Sequence, residues 1–569
     1  METERGEAHQ LEEYVDWRNK HVDKPKHGGI LAAAFVFLSE TFENLAFLAN
    51  ATNFVNYFYG FMHFSLSVSA NTVTNFIGTS FLLPLLGAFM CDTFTTTYVT
   101  VIIFAVVELL GWVLLTVQAH FPSLKPPACD MGNPSNAGIC KQVEGGQALM
   151  LYTGLYLVAL GVGGIKGSLP VHGVEQFDEN DGKERKLRSN FFNWFLFSMC
   201  VGSLLAVTFV VWVQDNKGWF WGFVLSILSI ALVLAFFLSY TRRYRNRIPI
   251  GSPLTCIAQV FVAAIRKRRL NPNDIQYQGY ESEPTKVNSS HLHRTPQFRF
   301  LEKASVVDPS AGGAESPWRL CTVSQVEEVK IMMRILPIFA STIMMNCCIA
   351  QLQTFSIRQA TTMKTTINDF KVPPASLPAI PVISMIILIP IYDRAFVPLA
   401  RRLTGKETGI SHLQRVGVGL VLSIISMAVA ASMEIKRKKV ARHYDLIDSS
   451  QPLPVTFLWV GIQYFVLGIA DMFALAGLME FFYSQAPCRM RSMATALSWV
   501  SISMGYYLSS VLVSIVNGAT RRFGDGVGWL SGNNLNRNHL DRFYWLLCFL
   551  SALNFVNYLL WSVWYTYKR

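Results

Sequence analysis

Apolar residues are gathered into twelve long runs along the chain, and polar residues lie mainly between them. Six runs cover about 29–58, 68–90, 96–118, 147–168, 190–213 and 218–240, and six more cover about 329–353, 374–395, 410–433, 456–484, 490–516 and 543–565. A helix that crosses the hydrocarbon core of a bilayer needs roughly 20 mostly apolar residues. The pattern therefore predicts an all-α membrane protein with twelve transmembrane helices.

The order of the runs, six, a long polar gap and six more, is typical of the major facilitator fold. We expect a polar N-terminal tail over 1–28, a first six-helix bundle over 29–241, a linker over 242–328 and a second bundle over 329–569. The linker opens with mixed basic and apolar residues that can form an amphipathic helix on a membrane surface. This fold predicts alternating access to a central cavity, but it does not identify the substrate.

Composition and charge agree with a membrane protein. Only 15% of the residues are charged, against about 25% in a typical soluble domain. The net charge of +12 comes from bases in separate short loops, such as those following the fourth, sixth and eighth runs. This bias predicts that both termini and the linker are cytoplasmic, with the basic segment 434–443 as an exception on the outer side. Scattered bases without a continuous patch argue against a nucleic-acid surface.

The sequence predicts neither an enzyme nor a metal or cofactor site. The ten cysteines form no CxxC pair and no zinc-like spacing with histidine. No phosphate-binding GxxxxGK[ST] motif is present, so ATP-driven transport is not expected. Cys129 and Cys140 share one predicted outer loop and can pair in a disulfide.

Two acids interrupt the first apolar run, in FLSETFENLAFLAN. Glu40 and Glu43 are three residues apart and share a helix face with Asn44. Ionisable groups inside a membrane span are costly and indicate function by default. Two neighbouring carboxylates in a low dielectric cannot both ionise cheaply, so the pair predicts a proton-carrying site. The alternative is that both side chains reach lipid headgroups near the helix end.

Two further charges lie within apolar runs. Lys166 follows the glycine-rich stretch GVGGI, and Asp471 is near the centre of the tenth run. We expect Lys166 and Asp471 to form a bridge between the two bundles, which a proton on Asp471 or a substrate carboxylate at Lys166 would open. The alternative for Lys166 is that its side chain extends to the membrane surface.

Uncharged polar residues occupy the seventh run, in IMMNCCIAQLQTF. Asn346, Gln351 and Gln353 can bond a ligand, or they can bond neighbouring helices. The cavity between the bundles should be mostly apolar, with Trp499 as a candidate wall residue.

At these residues the chain resembles the plant nitrate/peptide transporter family, relatives of the proton-coupled oligopeptide transporters. The resemblance covers nearly the whole chain and includes the stretches KHGGILAA, VTNFIGTSFLLPLLGAFMCDTF, LYLVALGVGGIKGSLPVHGVEQFD, FFNWFLFS, GSPLT, ILPIFAST, PIYDR and MRSMATALSW. It is nearest to the subgroup that includes abscisic acid importers, one of which is also described as a low-affinity nitrate transporter. The resemblance implies proton coupling and substrate binding by Glu40, Glu43, Lys166 and Asp471.

The chain departs from the family pattern at the substrate site. The family motif Glu-x-x-Glu-Arg reads Glu40-Thr-Phe-Glu43-Asn44 here, and Ile349 stands where the family's nitrate transporter has a nitrate-binding histidine. Thr100 matches that transporter's regulatory phosphorylated threonine. Without the Arg, a permanent positive charge that holds small anions is lost.

The departures favour a larger, amphipathic weak acid held by Lys166. We therefore expect proton-coupled import of abscisic acid or a gibberellin across the plasma membrane, with the small-molecule substrate, protons and the lipid bilayer as partners. The alternatives are low-affinity nitrate transport and a hormone or nitrate sensor with little flux.

Overall fold

The computed structural model consists almost entirely of long helices. It describes residues 14–23, 26–127, 129, 140–179, 181–268, 295–306, 316–367, 370–371, 377–405, 409–447, 451–523, 528–530 and 535–567. Within that part of the chain, twelve helices are long and apolar enough to cross a membrane. The prediction of twelve transmembrane helices is thereby confirmed.

The helices of the first half are α1 to α6. Their bounds are Gly29–Phe61, Val68–Thr93, Thr97–His120, Gly145–Val174, Gly182–Lys217 and Trp219–Ser239. The helices of the second half, α7 to α12, are Val323–Thr361, Ala379–Thr404, His412–His443, Leu458–Gln485, Cys488–Arg522 and Leu540–Trp564. Because successive helices cross in opposite directions, the membrane face with the chain segment between α6 and α7 is called the linker side, and the opposite face the disulfide side.

Local sequence explains where several helices begin and bend. Side chains of Thr96 and Asp181 accept backbone N–H bonds as N-caps of α3 and α5, and Thr322 forms a capping box with Gln325 at the start of α7. Three spans contain a π-helical turn, a feature that re-aims side chains and often marks functional helices. These turns are Tyr57–Phe61 in α1, Ala206–Val210 in α5 and Tyr392–Phe396 in α8.

Helix α9 runs beyond its apolar sequence. The expected outer loop over 434–443 is instead the last part of this helix, which ends at His443. Several of the charges there are paired within the protein. Both Arg437 Nε and Nη2 donate to the Glu434 carboxylate, at 2.8 and 2.7 Å, and Lys438 Nζ lies 2.6 Å from the Asp541 carboxylate. These pairs let the helix continue where hydropathy alone predicts a loop.

A linker helix, Pro253–Arg266, lies at the amphipathic segment of the sequence. Its apolar face packs on the protein, where Cys256 and Val260 join a buried cluster with Leu301 and Val326. A short helix, Arg299–Glu302, follows in the linker.

Six short strands connect parts of the chain outside the spans. Strand β1 (Tyr14–Val15) pairs antiparallel with β2 (Asn246–Arg247), and β3 (Met363–Lys364) pairs parallel with β6 (Leu453–Thr456). Strands β4 (Thr366–Ile367) and β5 (Phe370–Lys371) form a small antiparallel pair. The first of these pairs fixes the N-terminal segment to the linker side.

The two halves are joined on the linker side by polar contacts. Met493 N, at the start of α11, donates to the Asp92 carboxylate at the end of α2, at 3.0 Å. Arg247 of the linker strand β2 lies 3.6 Å from the Glu175 carboxylate after α4 and donates to the Cys488 carbonyl of α11 at 2.8 Å. Arg415 on α9 donates to the Asn193 side chain on α5 at 2.6 Å.

Apolar packing between the two halves is likewise concentrated on the linker side. A cluster shared by both halves includes Leu196 and Tyr392, whereas a cluster nearer the disulfide side, with Phe54 and Trp112, belongs to the first half. This conformation is therefore closed on the linker side.

Candidate substrate and proton site

The Lys166 side chain is enclosed in the first half and paired with acids of α1. Lys166 Nζ lies 2.8 Å from Glu43 Oε2 and 3.7 Å from Glu40 Oε1, and all three side chains are at most 1% exposed. The predicted bridge between Lys166 and Asp471 is therefore wrong for this conformation. The two acids on one face of α1 reach Lys166 within the same bundle, so the ammonium group is already neutralised there. Its burial also rules out the surface position considered for Lys166.

Glycines bring the neighbouring helices close to this pair. Gly164 of α4 has no room for a Cβ atom, because the ring of Phe104 on α3 occupies that space. Gly87 of α2 in turn packs directly on the Gly164 backbone, where an added Cβ would lie 2.6 Å from the Gly164 carbonyl oxygen. The glycine-rich sequence thus encloses Lys166 by letting two helices approach its own.

A third buried acid, Glu108 on α3, belongs to the same cluster and was missed in the sequence. Its Oε1 accepts a bond from Trp112 Nε1 at 3.0 Å, and its side chain is fully buried. It interacts electrostatically with Glu43, Lys166 and Glu40. The signal was present, since Glu108 is the one acid in the apolar run VIIFAVVELLGWVLL, and the rule that selected Glu40 applies equally to it.

An aromatic wall from the second half closes over Lys166. The Trp499 ring centre on α11 lies 5.1 Å from Lys166 Nζ, and the ring centre of Phe47 on α1 lies 5.7 Å from the same atom. Trp499 is stacked on Phe81 of α2, with ring centres 5.8 Å apart. Among the described residues, the buried Trp499 Nε1 has no hydrogen-bond partner. The site thus offers one cation, a flat apolar surface and a free N–H donor.

The uncharged polar residues predicted to face substrate are bonded to neighbouring helices. Asn44 Nδ2 donates to the Met199 carbonyl at 2.7 Å and to Ser203 Oγ at 2.6 Å, both on α5. Asn346 Nδ2 donates to Ser501 Oγ of α11 at 2.9 Å.

Gln351 and Gln353 are the other two candidate polar residues of α7. Gln351 Nε2 donates to Ser509 of α11, at 3.0 Å from its carbonyl and 2.7 Å from its hydroxyl. The Gln353 side chain lies outside the described residues. In this conformation Asn346 and Gln351 therefore bond to a neighbouring helix, which was the alternative to ligand binding.

Asp471 lies between the halves and apart from the Lys166 cluster. It is half-buried on α10, and its electrostatic neighbours include Tyr506 of α11 and Cys200 of α5. It is thus placed where movement of α5 against α10 would change its surroundings.

Two further predicted residues lie away from the site. Thr100 is fully buried near the start of α3, where its hydroxyl donates to the Thr96 carbonyl at 3.1 Å and contacts Thr95 Oγ1 at 2.7 Å. A kinase cannot reach this hydroxyl in the present conformation. Cys129 and Cys140 are joined by a disulfide in the segment between α3 and α4. Among the described residues, no group of three or more His, Cys, Asp or Glu side chains could hold a metal ion.

Comparison with known proteins shows the family of the chain. The family model PTR2, described as the POT family, matches residues 98–530. Proteins NRT1/PTR FAMILY 4.6 and 4.5 of Arabidopsis thaliana are each 52% identical to this chain, over 100% of the chain and 99% of the relative. The crystal structure of the POT family transporter PepTSo superimposes with a TM-score of 0.61 at 19% identity, covering 93% of this chain and 98% of that one. The chain belongs to the POT family of secondary transporters, within its plant NRT1/PTR branch, and has their twelve-helix fold.

Proposed function

We propose that this transporter imports an organic weak acid, abscisic acid or a gibberellin, together with protons across the plasma membrane. The observation that carries the proposal is the pairing of a single buried cation, Lys166, with the flat aromatic surface of Trp499 and Phe81. A substrate with a carboxylate and an apolar ring body uses both parts of this site. The linker side faces the cytoplasm in this proposal, as the distribution of basic loops predicts.

Coupling to protons follows from competition for Lys166. Glu43 Oε2 lies 2.8 Å from Lys166 Nζ, so a substrate carboxylate cannot form the same contact while Glu43 is ionised. A proton on Glu43 removes its charge and releases Lys166 for the substrate. Binding of a proton and binding of an anionic substrate therefore favour each other, which is the linkage that symport requires.

The surroundings of Lys166 favour an organic acid over nitrate. Asn44, in place of the family's Arg, donates both hydrogen bonds to α5 and supplies no second cation. Ile349 stands where the family's nitrate transporter has its nitrate-binding His, and it supplies no ionisable group. The free N–H of Trp499 can donate to a substrate oxygen, while its ring contacts the apolar body of the substrate. Nitrate would leave this aromatic surface unused.

Asp471 has a separate role in this proposal. Its protonation responds to the relative position of the two halves, because Asp471 on α10 has neighbours on α11 and α5 and is not part of the Lys166–Glu43 pair. Opening of the linker side changes its exposure to water and thereby its preference for a proton.

Uptake of labelled abscisic acid into cells that express the protein tests this function. Carrier-dependent uptake should be faster at acidic than at neutral external pH, fall with a protonophore, and be lost in Lys166→Ala. Trp499→Phe keeps the ring and removes the N–H donor, so it should weaken uptake less than Trp499→Leu does. Asp471→Asn is expected to slow transport while substrate binding persists.

The controls separate the alternatives. Empty cells measure passive entry of the protonated acid, and surface labelling shows that the protein is present. Inhibition of hormone uptake by excess nitrate but not by chloride would favour nitrate as a substrate of the same site. Saturable binding without accumulation would favour a sensor.

A further inference from the structure

We infer that Glu108 is a third proton-binding group of the buried cluster and is protonated while the Lys166–Glu43 pair is formed. Glu40, Glu43, Glu108 and Lys166 form a group of three acids and one base inside the first half. Neutrality of this group requires two protons. The geometry assigns them to Glu108 and Glu40, since Glu43 makes the short contact with Lys166.

The hydrogen bonds of Glu108 fit a neutral carboxyl group. Its Oε1 accepts one bond, from Trp112 Nε1 at 3.0 Å. Its Oε2 is buried and has no hydrogen-bond partner among the described residues. An ionised carboxylate carries a full charge over two oxygens and needs several donors or a cation. A protonated carboxyl group carries no charge, so its unpaired oxygen costs much less when buried. A single indole donor therefore suits the acid form.

Among the residues that the structure describes, no free cation faces Glu108. From α1 it meets the acids Glu40 and Glu43, and from α4 it meets Lys166, which Glu43 already holds. Helix α6, which packs against α3, contains no ionisable residue over Trp219–Ser239. On α2 the ionisable Cys91 and Asp92 lie at the linker-side end.

The unpaired charges near Glu108 come from acids. Among the charged groups that act on Glu108, Glu43 has the largest effect, and its negative charge repels a second anion. In a buried, low-dielectric site an acid surrounded in this way keeps its proton.

Glu108 is also held in place. Gly161 on α4 faces the backbone of Glu108, and an added Cβ would overlap the Glu108 main chain. The acid cannot move away from the cluster without separating α3 from α4. It is therefore a fixed member of the group rather than a side chain that can turn to lipid.

Infrared spectroscopy of the purified full-length protein tests this without any substrate. A protonated carboxyl group has a C=O stretching band apart from the bands of carboxylates and amides. At neutral pH, Glu108→Gln should lose one such band from the wild-type spectrum. Trp112→Phe keeps an aromatic ring but removes the hydrogen bond to Oε1, and it should shift the frequency of that same band. A purely structural role of Glu108 would not produce this pair of results.

Glu434 provides a matched control. It is equally buried, but Arg437 donates a hydrogen bond to each of its two carboxylate oxygens, so a cation lies against both of them. Glu434→Gln should therefore leave every protonated-carboxyl band in place. If Glu108→Gln keeps the wild-type bands while its size-exclusion profile shows a folded protein, Glu108 is ionised and the inference is wrong.

The inference adds to the proposed proton coupling, but its test is independent of it. Loss of the band in Glu108→Gln supports the inference even if the protein transports no hormone. Hormone uptake with an unchanged band would support the proposed function and overturn the inference.

Discussion

Replacing Lys166 by Met should destabilise the protein strongly and in a pH-dependent way. The substitution keeps most of the length of the side chain and removes the cation that lies among three buried acids in the described part of the chain. Removing one partner of a buried ion pair costs about 3–5 kcal/mol, because the other charge is left without compensation. The acids can instead take up a further proton, so the loss should be greatest at alkaline pH and shrink as the pH falls.

Matched double variants identify the partner of Lys166. In Lys166→Met with Glu43→Gln, no charge is left unpaired at the 2.8 Å contact, and most of the lost stability should return. The observed pairing predicts no such recovery for Lys166→Met with Asp471→Asn, since Asp471 lies outside the pair. The coupling energy of a contacting pair is about 0.5–3 kcal/mol, and that of distant sites is close to zero.

The assay is thermal unfolding of the detergent-purified protein, followed by tryptophan fluorescence at several pH values. We expect the apparent melting temperature to fall in Lys166→Met and to recover with Glu43→Gln. Recovery with Asp471→Asn in place of Glu43→Gln would show that Lys166 bridges the two halves, as the sequence alone predicts. Equal melting temperatures for Lys166→Met and wild type at alkaline pH would refute the charge argument altogether.

Three further predictions concern other parts of the molecule. Gly161→Ala should cost about 1–3 kcal/mol by overpacking against the Glu108 backbone, whereas Gly146→Ala on the same helix meets nothing within 4 Å and should leave the melting temperature nearly unchanged. Arg247→Ala removes the 2.8 Å bond to the Cys488 carbonyl and should speed labelling of Cys488 by a thiol reagent, measured by mass spectrometry. Arg245→Ala is its control, because Arg245 bonds to Gln176 and Glu184 of the first half. Equal labelling of Cys488 in both variants would show that the bond from Arg247 does not protect it. In intact cells, a membrane-impermeant maleimide should label Cys140 in Cys129→Ser but not in the disulfide-bonded wild type. Labelling only after permeabilisation would place this loop inside the cell and reverse the proposed orientation.

Hydropathy was enough to predict the number and order of the helices, because burial in lipid requires a long apolar run. It failed at the helix ends where charges are paired inside the protein. The end of α9 is the clearest case, since Glu434, Arg437 and Lys438 look like a loop in the sequence but have partners in the fold. Apolar periodicity does not carry information about such partners.

The candidate site was predicted in part for a related reason. Charges within apolar runs singled out Glu40, Glu43 and Lys166 separately, although Lys166 was expected to pair with Asp471, and Glu108 could have been found by the same rule. Helical spacing assigns residues to a face of their own helix, but not to the helix that this face meets. The sequence therefore could not decide whether Lys166 pairs with α1 or with Asp471 of α10.

The location of the ion pair constrains how binding could move the two halves. A bridge from Lys166 to Asp471 would have locked the halves directly, and its opening would have freed them. The observed pair lies within one half, so its opening by itself breaks no contact between them. Trp499 is the residue of the second half that contacts this cluster, 5.1 Å from Lys166 Nζ and stacked on Phe81 of α2. In the proposed cycle, a proton on Glu43 and a substrate at Lys166 change what lies against the Trp499 ring, and α11 transmits that change to the linker-side contacts at its first turn. Coupling then depends on the aromatic wall as much as on the charges, and for this reason Trp499→Leu should impair proton-driven accumulation even where substrate still binds.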